Sequence, residues 1–209
     1  RGGWKQWQDE PRPCRFVRSV ARITLALRRM LIPLCFIRTS QAGRFPETLK
    51  TKRFPMEGLE YIYELCEALP RSGPGDNEYT RRAFNFIPKL QTPPFILDIG
   101  CGQGMQTIEL AKISNGKITA LDNHQPFLDL LVEQAKKQKI EEKIIPKNIS
   151  MLDMDFEEET FDIIWSEGAL YFMGFQNGLK RCHQLLKTIG YLAVTELVYI
   201  TPNPPASVL

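Results

Sequence analysis

The amino-acid sequence predicts an α/β fold, a three-layer sandwich built on a mainly parallel β-sheet. From about residue 58, short apolar runs alternate with segments whose apolar residues recur at helical spacing. The composition, with 43% hydrophobic and 24% charged residues in a chain of 209, is that of an ordinary globular protein. It excludes collagen-like, low-complexity and disulfide-scaffold proteins, and it leaves enough apolar residues for one sizeable core.

The first part of this pattern predicts two helices joined by a turn. Apolar residues at helical spacing predict a helix over 57–69, and Pro70 with the Gly-Pro-Gly sequence at 73–75 ends it. An Asp-Asn pair can cap a second helix, over about 76–86. These two helices lead into the sheet.

The rest of the pattern alternates strands with helices, and no internal repeat is present. Helices are predicted over about 105–113, 125–139 and 176–186, the last ending near Gly190. Five apolar runs predict strands: Phe95–Ile99, Lys117–Asp122, Lys143–Ile149, Phe161–Ser166 and Gly190–Val198.

The formal net charge of +3 conceals a sharp change along the chain. Residues 1–55 contain 13 lysines and arginines against 3 acids, a net charge of +10, whereas residues 56–209 carry −7. Such a change indicates two segments with different partners or origins. The apolar run from Phe16 to Ile37 contains four arginines and no acid, a pattern typical of an organellar transit peptide or a membrane-surface helix.

Cysteine usage and hydropathy bear on the compartment. The five cysteines form no C-x-x-C pair and the chain has two histidines, so neither a disulfide framework nor a metal site is expected. No run of 18 uncharged apolar residues occurs, and no membrane span is predicted. These features favour a reducing, cytoplasmic location.

A glycine-rich loop follows the first predicted strand, in the stretch Leu97-Asp98-Ile99-Gly100-Cys101-Gly102-Gln103-Gly104. Glycines let the backbone turn tightly and approach a ligand, and the helix behind them offers free N–H groups. Asp122, 22 residues after Gly100, ends the second strand, where an acid accepts hydrogen bonds from ribose hydroxyls. Because Met105 breaks the G-x-G-x-x-G dinucleotide pattern, a nucleoside without phosphates fits better, and a nicotinamide-dependent oxidoreductase is disfavoured.

Taken together, these motifs resemble those of a known family. ILDIGCGQG followed by ALD resembles motifs I and II of class I S-adenosylmethionine-dependent methyltransferases. NISMLDMDFEEETFDIIWSEGALY and LLKTIGYLAVTE resemble the later motifs, and ALPRSGPGDNEYT resembles the lead-in of a bacterial and archaeal small-molecule branch. The resemblance covers residues 56–199. It implies a Rossmann-like sandwich, S-adenosyl-L-methionine as cofactor, and methyl transfer to a small molecule.

The resemblance also implies a set of cofactor contacts. Asp98 should lie near the methionine amino group, Asp122 should hold the ribose hydroxyls, and Asn123 should border the adenine. The glycines should form the floor under the methionine and ribose. The cofactor-binding residues implied in this way are Asp98, Gly100, Cys101, Gly102, Gly104, Asp122, Asn123, Ser150 and Met151. Cys101 is expected to pack rather than to act as a nucleophile.

Two further positions concern the adenine and the chemistry. Ser150 stands where many relatives have an acid, so Asp153 or the backbone near Met151 would meet the adenine amine. Glu167 and Tyr171, which follow the fourth strand, are the first candidates for a general base and His124 is the third; a base is needed only when the nucleophile must lose a proton. The competing interpretation is a non-catalytic nucleoside-binding or regulatory domain.

The acidic portion also bears on partners, and the length of the chain bears on its completeness. A net charge of −7 argues against a nucleic-acid substrate; the sequence does not determine the oligomeric state. The family's sheet has seven strands, so we expect either a chain shortened at its C-terminus or a fifth strand left as an open edge. MEGLE at 56–60 resembles a natural start. Residues 1–55 are therefore expected to lie outside the fold, as translated upstream sequence or a targeting extension, and residues 56–209 to form the domain.

Overall fold

The computed structural model describes residues 34–38, 59–73 and 75–196, which form a sheet with helices on both faces. None of the described helices is long and apolar enough to cross a membrane. The helices are α1 (Leu59–Glu67), α2 (Asn77–Phe84), α3 (Met105–Ile113), α4 (Gln125–Lys137) and α5 (Phe175–Leu185). The strands are β1 (Leu34–Arg38), β2 (Phe95–Ile99), β3 (Lys117–Asp122), β4 (Ile144–Asn148), β5 (Phe161–Glu167) and β6 (Leu186–Thr195).

The sheet confirms the predicted fold class. Its strand order is β1-β6-β5-β2-β3-β4, and the five strands from β2 to β6 all pair in parallel. The central strands β2 and β5 are buried along nearly their whole length. Continuous apolar runs such as theirs are needed where helices cover both faces of a parallel sheet.

Two apolar clusters pack against opposite faces of the sheet. One joins the sheet to α2, α3 and α4 and includes Ile96 and Trp165, both fully buried. The other joins it to α5 and includes Leu97 and Ile99. Alternate residues of β2 therefore serve opposite cores, as the two-residue repeat of a strand requires.

The start of β6 differs from the prediction. Gly190 does not follow the end of a helix; it lies inside β6, which begins at Leu186 directly after α5. A Cβ at Gly190 would lie 3.1 Å from the Asp162 carbonyl oxygen on β5, beside a register shift between Phe161 and Ile163. The glycine thus lets β6 approach β5 closely at an irregularity in the sheet. In the sequence, a glycine in this position cannot be told from one that ends a helix.

A strand from the basic segment lies at one edge of the sheet. β1 pairs antiparallel with β6, from Leu34 opposite Thr195 to Arg38 opposite Tyr191. The physical reason is that the outer edge of β6 presents N–H and C=O groups that need partners, and a β-prone run supplies them. These five residues of the 1–55 segment therefore pair with the sheet, whereas the division of the chain at residue 55 stays a prediction. The rest of that segment, and residues 197–198 of the predicted last strand, lie outside the described residues.

Candidate functional site

A cavity opens at the carboxyl ends of β2, β3 and β5, beside the point where the strand order reverses from one direction to the other. Open parallel sheets bind their ligands in this crevice. Its walls come from the glycine loop, the ends of β3 and β5, the turn at 150–152 and the segment 63–73. Ten of the eleven predicted site residues line it: Gly100, Cys101, Gly102, Gly104, Asp122, Asn123, Ser150, Met151, Glu167 and Tyr171.

The glycine loop needs glycine at two of its positions. Gly100 has φ +69° and Gly104 has φ +82°, a region that side chains disfavour. A Cβ at Gly100 would lie 2.4 Å from the Ala169 Cβ, and one at Gly104 would lie 2.2 Å from Leu131 Cδ1. The Gly100 N–H donates to the Leu121 carbonyl at 2.8 Å, so the loop bends from β2 toward the end of β3.

Asp122 is joined directly to this loop. Its Oδ2 accepts from the Gly102 N–H at 2.8 Å, and its Oδ1 accepts from the His124 N–H at 3.0 Å. Burial raises the pKa of Asp122, while the backbone donors oppose that rise. Two fixed backbone donors orient the carboxylate and leave it further lone pairs for hydroxyl groups of a ligand.

Asp98 is the predicted site residue that lies beneath the cavity rather than on its wall. Its side chain is fully buried, and its Oδ2 accepts from Thr107 Oγ1 at 2.6 Å. The other oxygen, Oδ1, has no hydrogen-bond partner among the described residues. Burial raises the pKa of Asp98 to about 7, opposed by the Thr107 hydrogen bond and reinforced by the charge of Glu167. A buried carboxylate oxygen without a partner suits a cationic or donating ligand group.

Ser72 is a residue to which the sequence assigned no role. Its Oγ is buried and has no hydrogen-bond partner among the described residues, like Asp98 Oδ1. A Cβ at Gly102 would lie 3.2 Å from this oxygen, so the hydroxyl stands directly against the glycine loop. An acceptor and a hydroxyl donor thus flank one loop, as the ammonium and carboxylate of an α-amino acid require. The residues present therefore fit the methionine end of the cofactor that the resemblance implies.

The Glu167 carboxylate is held by three donors from three parts of the chain. Its Oε2 accepts from Arg71 Nη2 at 2.9 Å, and its Oε1 accepts from Thr80 Oγ1 at 2.8 Å and Trp165 Nε1 at 2.9 Å. Arg71 also donates to the Asn77 side chain at 2.9 Å. This network ties the segment before α2 to the end of β5.

Tyr171 and Cys101 both carry protons that are hard to remove. Burial, followed by the charge of Glu196, raises the pKa of Tyr171. Burial raises the pKa of the Cys101 thiol well above its usual value, and the side chain belongs to one of the apolar clusters. The Tyr171 phenol therefore suits donation of a hydrogen bond, and Cys101 suits packing.

The predicted adenine side is built around a short turn. Ser150 Oγ accepts from the Leu152 N–H at 3.1 Å and so caps the 3₁₀ turn Met151–Asp153. Ser150, Met151 and Leu152 line the cavity, whereas Asp153 is exposed and does not. Across the cavity, Asn123 Oδ1 accepts from the Tyr63 hydroxyl at 3.3 Å. The roles assigned to these residues stay predictions.

Four of the cavity residues that sequence reasoning missed come from one segment. Tyr63, Cys66, Arg71 and Ser72 line the cavity although they precede the glycine loop by about 30 to 40 residues. The RSGPG sequence was noted only as part of a resemblance, since nothing local shows that it folds against Gly102. A polar pair before a Gly-Pro-Gly turn was the available signal.

Comparisons with known proteins find methyltransferases that are similar to this chain. Residues 96–190 match the family described as "Methyltransferase domain". The chain is 21% identical to 27-O-demethylrifamycin SV methyltransferase of Amycolatopsis mediterranei over 60% of its length and 46% of that protein. It is 29% identical to demethylmenaquinone methyltransferase of Lactobacillus johnsonii over 57% of its length and 50% of that protein. It thus spans about half the length of these relatives.

Solved structures share the fold. Phosphoethanolamine N-methyltransferase 2 of Haemonchus contortus, in complex with S-adenosyl-L-methionine, gives a TM-score of 0.59 at 19% identity, covering 70% of this chain and 34% of that chain. Geranyl diphosphate C-methyltransferase of Streptomyces coelicolor gives a TM-score of 0.52 at 12% identity, covering 62% of this chain and 51% of that chain. Residues 96–190 are thus similar to methyltransferase domains in sequence, and the sheet shares the fold of these solved methyltransferases.

Proposed function

We propose that the chain transfers a methyl group from S-adenosyl-L-methionine to a small-molecule acceptor. The observation that carries this proposal is the pair of buried polar atoms, Asp98 Oδ1 and Ser72 Oγ, which lack partners among the described residues and flank the glycine loop. Buried polar atoms are nearly always hydrogen-bonded, so these two favour a bound amino-acid group. The ammonium lies toward Asp98, which it meets directly or through water beneath the cavity, and Ser72 donates to the carboxylate.

The rest of the cofactor follows the cavity from this point. Asp122 holds the ribose hydroxyls, since its carboxylate is already oriented by two backbone donors. The adenine lies between Asn123 on one side and the turn at Met151 and Leu152 on the other side. In this arrangement Ser150 caps the turn that borders the adenine, and Cys101 belongs to an apolar cluster rather than contacting the ligand.

The cofactor supplies a methyl group on a sulfonium, which already contains a good leaving group. The chain's residues therefore have to align the acceptor for in-line attack and to exclude water. Glu167 is committed to three donors, which supports a role in holding Arg71 and the 71–73 segment in place. Tyr171, whose pKa is raised, orients the acceptor as a hydrogen-bond donor. If Glu167→Gln keeps full turnover, Glu167 is not the base.

Small organic acceptors fit the available features best. The relatives' names specify such acceptors, demethylmenaquinone and 27-O-demethylrifamycin SV among them. The portion from residue 56 onward carries a net charge of −7, which repels nucleic acid. The cysteine content is consistent with action in the reducing cytoplasm.

The test has two stages and uses the full chain. Calorimetry with S-adenosylhomocysteine measures cofactor binding, and adenosine measures the nucleoside part alone. Ser72→Ala should lower the affinity for S-adenosylhomocysteine by about tenfold and leave the affinity for adenosine unchanged. Incubation with methyl-deuterated cofactor and a metabolite extract, followed by mass spectrometry, then detects a labelled product. No binding at millimolar ligand refutes the proposal, and binding with no labelled product favours a non-catalytic nucleoside-binding domain.

A further inference from the structure

A cluster of ring side chains joins α1 to the start of α4, beside the nucleoside end of the cavity. The His124 ring stacks on the Tyr63 ring, with centroids 4.3 Å apart and planes 15° from parallel. Phe127 meets both rings edge-on, at 4.6 Å from His124 and 5.8 Å from Tyr63. His124 Nε2 donates to Glu67 Oε1 at 2.5 Å. One side chain therefore contacts two successive turns of α1.

α1 has few other attachments in the described part of the chain. Tyr61 is 70% exposed and Leu65 is 61% exposed, and no described side chain of α1 belongs to either apolar cluster. Its other polar links in the described part of the chain are the bonds from Gln103 Nε2 to the Cys66 carbonyl, from Cys66 Sγ to the Ser72 carbonyl and from the Tyr63 hydroxyl to Asn123 Oδ1. Since Tyr61 and Leu65 bury little apolar surface, the specific contacts of the other described side chains contribute to the position of α1.

The same cluster reaches the cavity. Tyr63 and Phe127 line it, and the Tyr63 hydroxyl donates to Asn123 Oδ1. The backbone N–H of His124 donates to Asp122, the acid that we assign to the ribose. His124 does not line the cavity itself, but it joins the wall formed by α1 to the residues at the end of β3.

We propose that His124 is a positioning residue that fastens α1, through Tyr63 and Glu67, as a wall of the nucleoside site. Nucleoside binding then depends on a helix outside residues 96–190, the part that matches the family. This inference rests on the proposed function, because the ligand that it positions is the cofactor's adenosine.

A thermodynamic cycle separates the two contacts of His124. His124→Phe keeps a ring against Tyr63 and loses the bond to Glu67, and Glu67→Ala loses the same bond from the other side. Each substitution should lower the affinity for adenosine by about threefold. The double variant should lower that affinity by no more than either substitution alone. His124→Ala also loses the stacked ring. It should lower the affinities for adenosine and for S-adenosylhomocysteine equally, by about tenfold. Glu133→Gln, which removes an exposed ion pair on α4 (2.6 Å to Lys137), should change neither.

Hydrogen exchange gives a readout that a merely structural residue would not change. S-adenosylhomocysteine should slow exchange of the α1 amides in the wild-type chain, and this protection should disappear in His124→Ala. Suppose that the wild-type chain binds S-adenosylhomocysteine, and that His124→Ala and His124→Phe keep both its affinity and the protection of the α1 amides. That result overturns this inference and leaves the proposed function standing. Failure of the wild-type chain to bind S-adenosylhomocysteine overturns the proposed function as well. Should His124→Ala not fold, His124→Phe and Glu67→Ala decide the question.

Discussion

Replacing Asp98 with asparagine should change both the stability and the ligand affinity of the chain, in a pH-dependent way. Asp98 is fully buried, and burial raises its pKa from 3.8 to about 7. Between these two pH values the folded chain holds a proton that the unfolded chain has released. The free energy of unfolding therefore falls as pH rises through this window, and the fall stops above about pH 7.

The size of this effect follows from the pKa. Each pH unit in the window costs about 1.4 kcal/mol, so between pH 5 and pH 8 Asp98 lowers the free energy of unfolding by about 3 kcal/mol. Asparagine cannot ionise, and its Oδ1 still accepts from Thr107. The fall measured for Asp98→Asn over the same range should thus be smaller than the wild-type fall by about 3 kcal/mol.

Denaturant unfolding of the unliganded chain at pH 5 and pH 8 measures the difference. Titrating groups that do not interact with Asp98 are present in both chains and cancel in the comparison. The exposed residue Asp155 provides the control, since Asp155→Asn should keep the wild-type dependence on pH. Equal pH dependence in the wild-type chain and Asp98→Asn would refute the argument.

Ligand binding should show the opposite dependence on pH. An ammonium needs the ionised carboxylate, so S-adenosylhomocysteine should bind the wild-type chain about tenfold more weakly for each pH unit below 7. Asp98→Asn should bind it weakly and with little pH dependence, whereas adenosine, which lacks the amino acid, should be insensitive to Asp98. Affinity of S-adenosylhomocysteine that stays constant from pH 5 to pH 8 would contradict the assignment of Asp98 to the ammonium.

Three further substitutions test the packing and the sheet edge. Gly104→Ala should lower the free energy of unfolding by about 2–4 kcal/mol in denaturant unfolding, because φ is +82° and a Cβ would lie 2.2 Å from Leu131. Arg81→Met should lower it by about 1–3 kcal/mol, since the nearly buried Glu109 carboxylate loses its partner at 2.8 Å. Phe36→Pro removes a backbone donor from β1 and should increase self-association in light scattering, as the edge of β6 becomes available.

Each of these three has its own control or contrary result. Gly73→Ala should be nearly neutral for stability, because nothing lies within 4 Å of its added Cβ. Lys137→Met breaks an exposed ion pair and should leave the free energy of unfolding nearly unchanged. A Phe36→Pro chain that stays monomeric and as stable as the wild type would show that β1 does not protect β6, and would return residues 1–55 to the role first expected of them.

The central strands and the glycine loop could be predicted because their signals are local. Leu97 to Gly104 combines a continuous apolar run with glycines, and both properties follow from burial and backbone conformation at the same residues. Asp122 could be placed because the spacing between two strands of a parallel sheet is set by one intervening helix. The end of α5 could not be predicted from Gly190, because this glycine allows β5 and β6 to pack closely and does not end a helix.

The remaining features depend on contacts between distant parts of the chain. Ser72 becomes a site residue because it folds against Gly102, and Glu167 gains its three donors from residues 71, 80 and 165. Likewise β1 acquires a partner about 155 residues away. Local hydrophobic patterns carry no record of such pairings, so the sequence showed the strands and helices from residue 59 onward but not β1, nor which side chains would meet.

The charges in the cavity link these contacts to function. Asp98, Asp122 and Glu167 lie close enough for the charges of the latter two to raise the pKa of Asp98, and burial raises the pKa of Asp122 as well. Among the described residues, Arg71 is the one lysine or arginine that lines the cavity, and it is bound to Glu167. The acids nearest the glycine loop therefore have no cation of their own. A ligand ammonium beside Asp98 would supply one, which explains why a stretch that is unfavourable for the unliganded fold is suited to binding an amino-acid group.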